Sequence, residues 1–350
     1  MKITEPLDRC GKWLRDIVLV REKPGMQVKL PIRLKLKYNR MGFTEAEYVL
    51  YDLAHNDPGD YISMQERWRL EPLNGKYARM LGRKLQFERS FAPYVHVPHV
   101  YCWIRDGRLI NMDDPASDFD VCGVLREQGA LIAKPTQSKG GGTGVFAVCA
   151  SDRGFVLDQD VYPEEHFLKR LLALEDYMLV EQIRQHPYAE NVYPFSGNTI
   201  RIVTGMRRDR RAVDLLFAFH RFGSRRSEPT DSASRGGFFA QIDEASGICG
   251  KASSILSPDA EFSKHPETGA AIEGLQVPGW ETLVRELKAV HLHMPYYELL
   301  AWDVMLDKNE MPWVIEINRG TDLIFQVNHP MRKEKMGRFM DGRGLLDRRR

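Results

Sequence analysis

The sequence predicts an α+β protein built around mostly antiparallel sheets, and three observations carry that reading. Apolar runs of strand length recur with short polar turns between them. Thr199 to Thr204 and Val213 to Phe219 flank the charged turn Arg207 to Arg211, and Leu300 to Met305 is followed by Asp307-Lys308-Asn309-Glu310 and then Val314 to Asn318. Helical stripes are interspersed: Phe167, Leu168, Leu171, Leu172 and Leu174 after Pro163, and Leu283, Val284, Leu287 and Val290 within Glu281 to Met294. With 350 residues, 43% of them hydrophobic and 28% charged, the chain can bury a substantial core in one large or two to three smaller lobes. Strand runs and helices joined by many hairpin turns indicate α+β lobes.

From the N-terminus, residues 1–78 read as a mixed, partly helical extension. Lys29 to Tyr38 alternates basic and apolar residues. Thr44 to Ala54 reads as a helix with Thr44 as its N-cap and Glu47 as its capping-box acid, ended by Pro58-Gly59. Lys76 to Ala92 reads as a basic amphipathic helix stopping before Pro93, and Val95 to Ile104 as strand and loop closed by Asp106-Gly107. Ala130 to Lys134 is a strand ending at Pro135, Gln137 to Gly144 a glycine-rich loop, and Val145 to Ala150 a second strand. Tyr177 to Val180 returns to strand. The expected organisation is an extension over 1–78, a first lobe with the glycine loop over 79–180, a second lobe over 181–335 and a basic tail over 336–350.

Charge and cysteines narrow the class. Lys+Arg 50 against Asp+Glu 48 leaves +2, so no overall field favours nucleic acid. Arg332, Lys333, Lys335, Arg338, Arg343 and Arg348-Arg349-Arg350 make the C-terminus locally basic. That reads as a solvated tail, with an acidic partner or membrane surface as the alternative. No apolar run approaches the roughly 20 residues a membrane span needs. Lys2, Glu5, Asp8, Arg9 and Arg15 precede Ile17 to Val20, a pattern too short and too charged for a leader. Cys10, Cys102, Cys122, Cys149 and Cys249 are odd in number and widely spaced, which points to reduced thiols in a cytoplasmic protein with no zinc spacing. His291-Leu292-His293 lies at the end of a helical pattern without partner ligands and reads as structural.

The most informative segment is Glu316-Ile317-Asn318 after Trp302-Asp303-Val304. Side chains alternate along a strand, so Val314, Glu316 and Asn318 are expected on one face and Ile315 and Ile317 on the other. A hairpin closing near Asn309 and Glu310 sets Asp303 opposite Glu316, where like charges repel. A hard divalent cation with a further oxygen from Asn318 would supply the counter-charge, and Mg²⁺ commonly takes one or two carboxylates plus substrate phosphates. The alternative is two solvated acids beside a turn.

The glycine loop is no P-loop, since it lacks GxxxxGK[ST]. Gly142-Thr143-Gly144-Val145-Phe146-Ala147 fits GxGxxA only superficially, because a dinucleotide fingerprint opens a helix and a β-rich run follows here. Strand, mobile loop and strand would make a flap over phosphates, with bare backbone N–H groups approaching the oxygens and the Lys134 ammonium in reach. A flexible hairpin with a surface lysine is the other reading. Glu181-Gln182-Ile183 leaves the end of a strand, and its backbone groups, with the Glu181 carboxylate, suit a purine edge. Arg201 alternates with Ile200 and Ile202, which makes it the best candidate to neutralise charge developing on a transferring phosphoryl group, a structural ion pair being the alternative. Arg235 and Arg319 are weaker candidates to grip a carboxylate in a bidentate fork.

In order along the chain these pieces resemble the ATP-grasp superfamily. The likeness rests on Lys84 within Gly82-Arg83-Lys84-Leu85, Ala133-Lys134-Pro135 with Gly140, Gly141, Gly142, Thr143 and Gly144, Leu179-Val180-Glu181-Gln182, and Asp303 followed by Glu316-Ile317-Asn318. Within it the chain is similar to the sugar-transfer-associated group, on Asn198 to Thr204, Gly236-Gly237 and Gln185-His186-Pro187. The resemblance covers about residues 76–330. It implies an ATP-grasp fold of two α+β lobes holding ATP between them, with Lys84 and Lys134 on phosphates or adenine, the glycine loop over the phosphates, Glu181 to Ile183 at adenine, and Asp303, Glu316 and Asn318 on Mg²⁺. It further implies a carboxylate–amine ligase that forms an acyl phosphate and then an amide or peptide bond on a small-molecule, peptide or sugar-derived substrate. A kinase-like phosphotransferase and a non-catalytic nucleotide-binding partner of a polysaccharide assembly system are the alternatives. Two departures stand out: Ala301 occupies a position where several such ligases carry arginine, and Asp231-Ser232 stands where the group tends to carry Asp-Asn.

Overall fold

The computed structural model describes residues 29–137, 141–318 and 320–348. Cys10 and the N-terminal segment read against a leader, with Gly140, Arg319 and the last two arginines, lie outside these residues.

Two fully antiparallel seven-stranded sheets organise the chain, in an α+β architecture. The first contains β1 (Val100–Arg105), β2 (Arg108–Asn111), β3 (Ala130–Pro135), β4 (Phe146–Ser151), β5 (Gly154–Leu157), β6 (Asp160–Tyr162) and β7 (Tyr177–Glu181), in the order β2-β1-β7-β3-β4-β5-β6. The second contains β8 (Ile200–Met206), β9 (Val213–Phe222), β10 (Phe238–Ile242), β11 (Cys249–Ser254), β12 (Ser257–Phe262), β13 (Leu299–Leu306) and β14 (Pro312–Asn318), in the order β12-β11-β10-β9-β8-β13-β14.

Alternation along the strands sorts the side chains into separate cores. Beneath the first sheet, Leu131, Ala133, Val148 and Leu179 pack on helices Val121–Gln128 and Glu164–Leu172. On one face of the second sheet, Ile200, Ile202, Leu300, Trp302 and Val304 pack against helix Trp280–His293 and Phe87 and Phe91 of helix Lys84–Phe91. His291 belongs to this layer. It is buried, its ring is hydrogen-bonded to Thr204 Oγ1 at 2.8 Å and the Tyr297 carbonyl at 3.1 Å, and burial lowers its pKa to about 4. The opposite face carries Val203, Phe217, Phe219 and Ala301 at one end and charged side chains at the other.

The apolar end of that face is covered from both termini of the described chain. Tyr38, Phe43, Tyr51, Tyr61, Ile62 and Leu70 of the extension pack there with Phe325 and with Met336, Phe339 and Met340. The capping box predicted at Thr44 is present, on the shorter helix Glu45–Leu50. The solvated tail is corrected: Lys335–Asp341 is a helix whose apolar residues are buried, each stabilising by roughly 1.5–3 kcal/mol. Arg332 holds the segment by donating to both oxygens of the fully buried Glu66, at 2.7 and 2.8 Å. The helix read over Lys76 to Ala92 is divided into Ala78–Leu81 and Lys84–Phe91, because Arg83 leaves it to bridge Gln137 beside the glycine loop.

Candidate functional site

The two sheets face each other across a cleft of about 1040 Å³. Of the residues singled out from sequence, Lys84, Lys134, Gly141, Gly142, Thr143, Glu181, Gln182, Ile183, Arg201, Asp303, Glu316 and Asn318 line it. Gly144 and Arg235 do not, and the Arg235 side chain is exposed.

β13 and β14 supply the charged floor. Asp303 pairs opposite Glu316, as the turn position implied. A bulge falls between Asp303 and Val304, where Asp303 pairs with Glu316 but Val304 pairs with Val314, leaving Ile315 as the extra residue. It corrects the expected alternation: Val314 joins the core with Ile317, while Ile315, Glu316 and Asn318 all line the cleft.

Three cationic side chains balance the two acids. Arg201 grips Asp303 with Nε on Oδ1 and Nη2 on Oδ2, the latter at 3.1 Å, and Arg221 Nη2 meets Oδ2 at 3.1 Å. Burial pushes the Asp303 carboxyl up, but the two guanidiniums outweigh it and hold the pKa below the usual carboxylate range. Lys84 Nζ lies 3.8 Å from Glu316 Oε2, and Asn318 Nδ2 donates to Asp303 Oδ2 at 3.2 Å and Glu316 Oε1 at 3.0 Å. The sequence assigns this counter-charge to a divalent cation and offers an ion pair only as the alternative for Arg201; that pair is present, with Asp303 as its partner.

Arg221 was missed as a site residue, and Asp231 was singled out only as a departure from the group's pattern and not as part of the site. Arg221 follows His220 on β9 and lines the cleft, half-buried, between Asp303 and Asp231, the latter at 3.5 Å. The signal was available: a charge within an apolar strand run, the criterion that singled out Arg201. Asp231 accepts the Thr199 N–H at 2.7 Å and the Thr199 hydroxyl. Burial raises its pKa against the pull of Arg221, since it shares with Asp303 the guanidinium that Asp303 supplements with Arg201. Gly237 makes the arrangement possible. A Cβ there would sit 2.6 Å from the Asp231 carbonyl and 2.9 Å from that of Phe222, so only glycine lets the Asp231 loop close on β9. Asn198, in the same motif as Arg201, is structural: its Nδ2 donates to the carbonyls of Ala189 and Tyr193, and its Oδ1 accepts from Gly223 N.

The first sheet contributes the opposite wall. Ile132, Ala147 and Val180, register neighbours on β3, β4 and β7, line the cleft, as do the apolar Met305 and Ile315 of the second sheet and Glu181-Gln182-Ile183 at the end of β7. The Glu181 carboxylate accepts from His99 N at 3.3 Å. Lys134 ends β3 with its ammonium buried, and burial, then the charge of Lys84, lowers its pKa to about 8. The glycine loop reaches across to residues 230–234. Gly142 has φ +70° and a Cβ on it would lie 2.7 Å from Thr230 Oγ1, a contact that couples the flap of one sheet to the loop of the other.

The profile of the sugar-transfer associated ATP-grasp family matches residues 64–336. Among solved structures, the chain is similar to the ATP-grasp ligase PsnB complexed with minimal precursor, Mg and ADP, at 13% identity, covering 79% of this chain and 62% of that one with a TM-score of 0.40. It is also similar to N5-carboxyaminoimidazole ribonucleotide synthetase from Thermotoga maritima, at 10% identity, 71% and 45% coverage and TM-score 0.36. A third is L-amino acid ligase from Bacillus licheniformis, at 10% identity, 73% and 44% coverage and TM-score 0.38. The chain therefore spans 44–62% of the length of these three proteins. No curated protein matches it. Among the described residues no helix is long and apolar enough to cross a membrane. The family match over most of the chain shows that it belongs to the sugar-transfer associated ATP-grasp family, and so that its fold is the ATP-grasp fold.

Proposed function

We propose that this family member is an ATP- and Mg²⁺-dependent ligase that activates a substrate carboxylate as its acyl phosphate and joins it to an amine. The observation that carries the reading is the single cleft in which an apolar slot, two lysines, a glycine flap and an acid pair balanced by two arginines follow one another. The residues fit the nucleotide. The slot formed by Ile132, Ala147, Val180, Met305 and Ile315 suits adenine, with the backbone groups of Glu181 to Ile183 reading its edge. Lys134, Lys84 and the N–H groups of Gly141 to Thr143 suit the phosphates.

They also fit the cation. Among the described residues no group of three or more His, Cys, Asp or Glu side chains encloses a metal, so the protein offers two opposed carboxylates and the Asn318 amide. That donor set suits a hard dication whose remaining positions are filled by phosphate oxygens and water. Mg²⁺ bound there would neutralise the β- and γ-phosphates. Arg201 and Arg221, held in fixed orientation by Asp303, face the position where charge develops as the phosphoryl group moves. Preorganised guanidiniums of this kind stabilise such charge without reorganising. Arg221 thus answers the absence of arginine at Ala301.

Hydroxylamine trapping tests the reading. With ATP, Mg²⁺ and an accepted carboxylate, a ligase yields the hydroxamate and ADP. ADP release with a phosphorylated hydroxyl product and no hydroxamate would replace the ligase with a phosphotransferase.

A further inference from the structure

We infer that Arg67 and Glu71 form a subsite for an α-amino acid, the guanidinium taking its carboxylate and the Glu71 carboxylate its ammonium; the inference rests on the ligase reading and names a substrate class for it. Both residues line the cleft, yet neither belongs to either sheet. They come from helix Met64–Trp68 and the turn after it. Arg67 is positioned by donation from Nε to Met64 Sδ at 3.3 Å and from Nη1 to the Thr321 carbonyl at 3.3 Å. Its helix is anchored by the Ser63–Glu66 capping box and by Arg332 on Glu66. Of its five N–H donors, these bonds use two, and Nη2 stands 3.8 Å from Glu71 Oε1, beyond hydrogen-bond distance.

Such a pair is poised to open. Glu71 is 54% exposed, and an ion pair that open to solvent contributes little to stability. A ligand carrying both charges on adjacent atoms replaces one weak pair with two charge-assisted contacts. The location suits a reacting substrate. A Cβ on Gly320 would lie 4.0 Å from Glu71 Cγ, and Thr321 holds Arg67, so the pair abuts the chain two and three residues beyond Asn318. Along β13 the cleft runs from apolar Met305 to charged Asp303, about 7 Å at two residues' rise. The apolar slot and the Arg67–Glu71 pair therefore lie toward opposite ends of the charged floor, leaving the nucleotide one end and the zwitterion the other.

The test is ADP release from ATP and Mg²⁺ with each common L-amino acid, beside its N-acetyl form, which lacks the ammonium, and its amide, which lacks the carboxylate. At least one L-amino acid should raise ADP release above ATP alone, and neither blocked form should. R67K and E71Q should each raise the KM for that amino acid by roughly 10- to 100-fold with little change in kcat. Three results overturn the inference in a protein that binds ATP by calorimetry: no amino acid stimulates, a blocked form stimulates equally well, or R67K lowers kcat without moving KM. Failure to bind ATP at all would instead remove the ligase reading, and this subsite with it.

Discussion

Lys134 offers a test in which a proton reports on phosphate binding. Its ammonium is buried at the cleft wall, and its pKa is lowered from 10.5 to about 8 by burial first and by Lys84 second, against the smaller pull of Glu316 and Glu88. A phosphate group beside it favours the charged form, so ATP binding at alkaline pH should draw a proton from solvent. With a pKa of about 8, Lys134 in the free protein is about half neutral at pH 8 and about nine-tenths neutral at pH 9. Calorimetric titration with ATP in buffers of different ionisation enthalpy should therefore register uptake of about 0.5 proton at pH 8 and about 0.9 at pH 9. ATP affinity should fall about tenfold per pH unit above that range. K134M should bind ATP more weakly and take up no proton through this site.

Stability carries the same signature. The folded-state pKa lies below the unfolded value, so between about pH 8 and 10.5 the unfolded chain binds more protons and stability rises with pH. Measured against K134M, the rise should be on the order of 3 kcal/mol. Equal proton uptake by wild type and K134M at pH 9 would refute the argument that Lys134 meets the phosphates.

Other substitutions probe the rest of the site. E316Q should abolish ATP turnover while leaving the thermal transition in place; turnover equal to wild type would remove Glu316 from the metal site. D303N leaves the buried Arg201 and the half-buried Arg221 without their shared carboxylate, and chemical denaturation should show a loss of about 3–5 kcal/mol. G142A places a Cβ 2.7 Å from Thr230 Oγ1 at φ +70°, so the KM for ATP should rise, and T230A in the same chain should recover part of it. R332A strips the guanidinium from the fully buried Glu66 and should lower stability by about 3–5 kcal/mol in the same denaturation assay.

Much of this was legible in the sequence wherever a pattern is local. β3, β4, β7, β8, β9, β13 and β14 announce themselves as apolar runs bounded by turns, and the turn after β13 is enough to set Asp303 opposite Glu316. The bulge at Ile315 is invisible to alternation, because one extra residue reverses the faces and no residue type there demands it. The ion-pair network resists reading for another reason. Arg221 meets Asp303 and Asp231 only through sheet order, which places β8 between β9 and β13. The C-terminal helix was readable and was misread: Met336, Phe339 and Met340 have helical spacing, but the basic residues around them dominated the composition. β11 and β12 went unrecognised because Gly, Lys and Ser in one and Pro, Asp and Glu in the other interrupt any apolar pattern, whereas β10, Phe-Phe-Ala-Gln-Ile, was readable and was overlooked.

Where a nucleotide and its cation sit decides what this cleft does. A crystal structure of the protein with a non-hydrolysable ATP analogue and Mn²⁺ in place of Mg²⁺ would locate the ion by its anomalous scattering. The predicted result is a single peak between Asp303, Glu316, Asn318 and the phosphates, with the base in the slot beside Ile132 and Met305 and the glycine flap above. A nucleotide bound elsewhere, or bound in the cleft with no ion at Glu316, would contradict it.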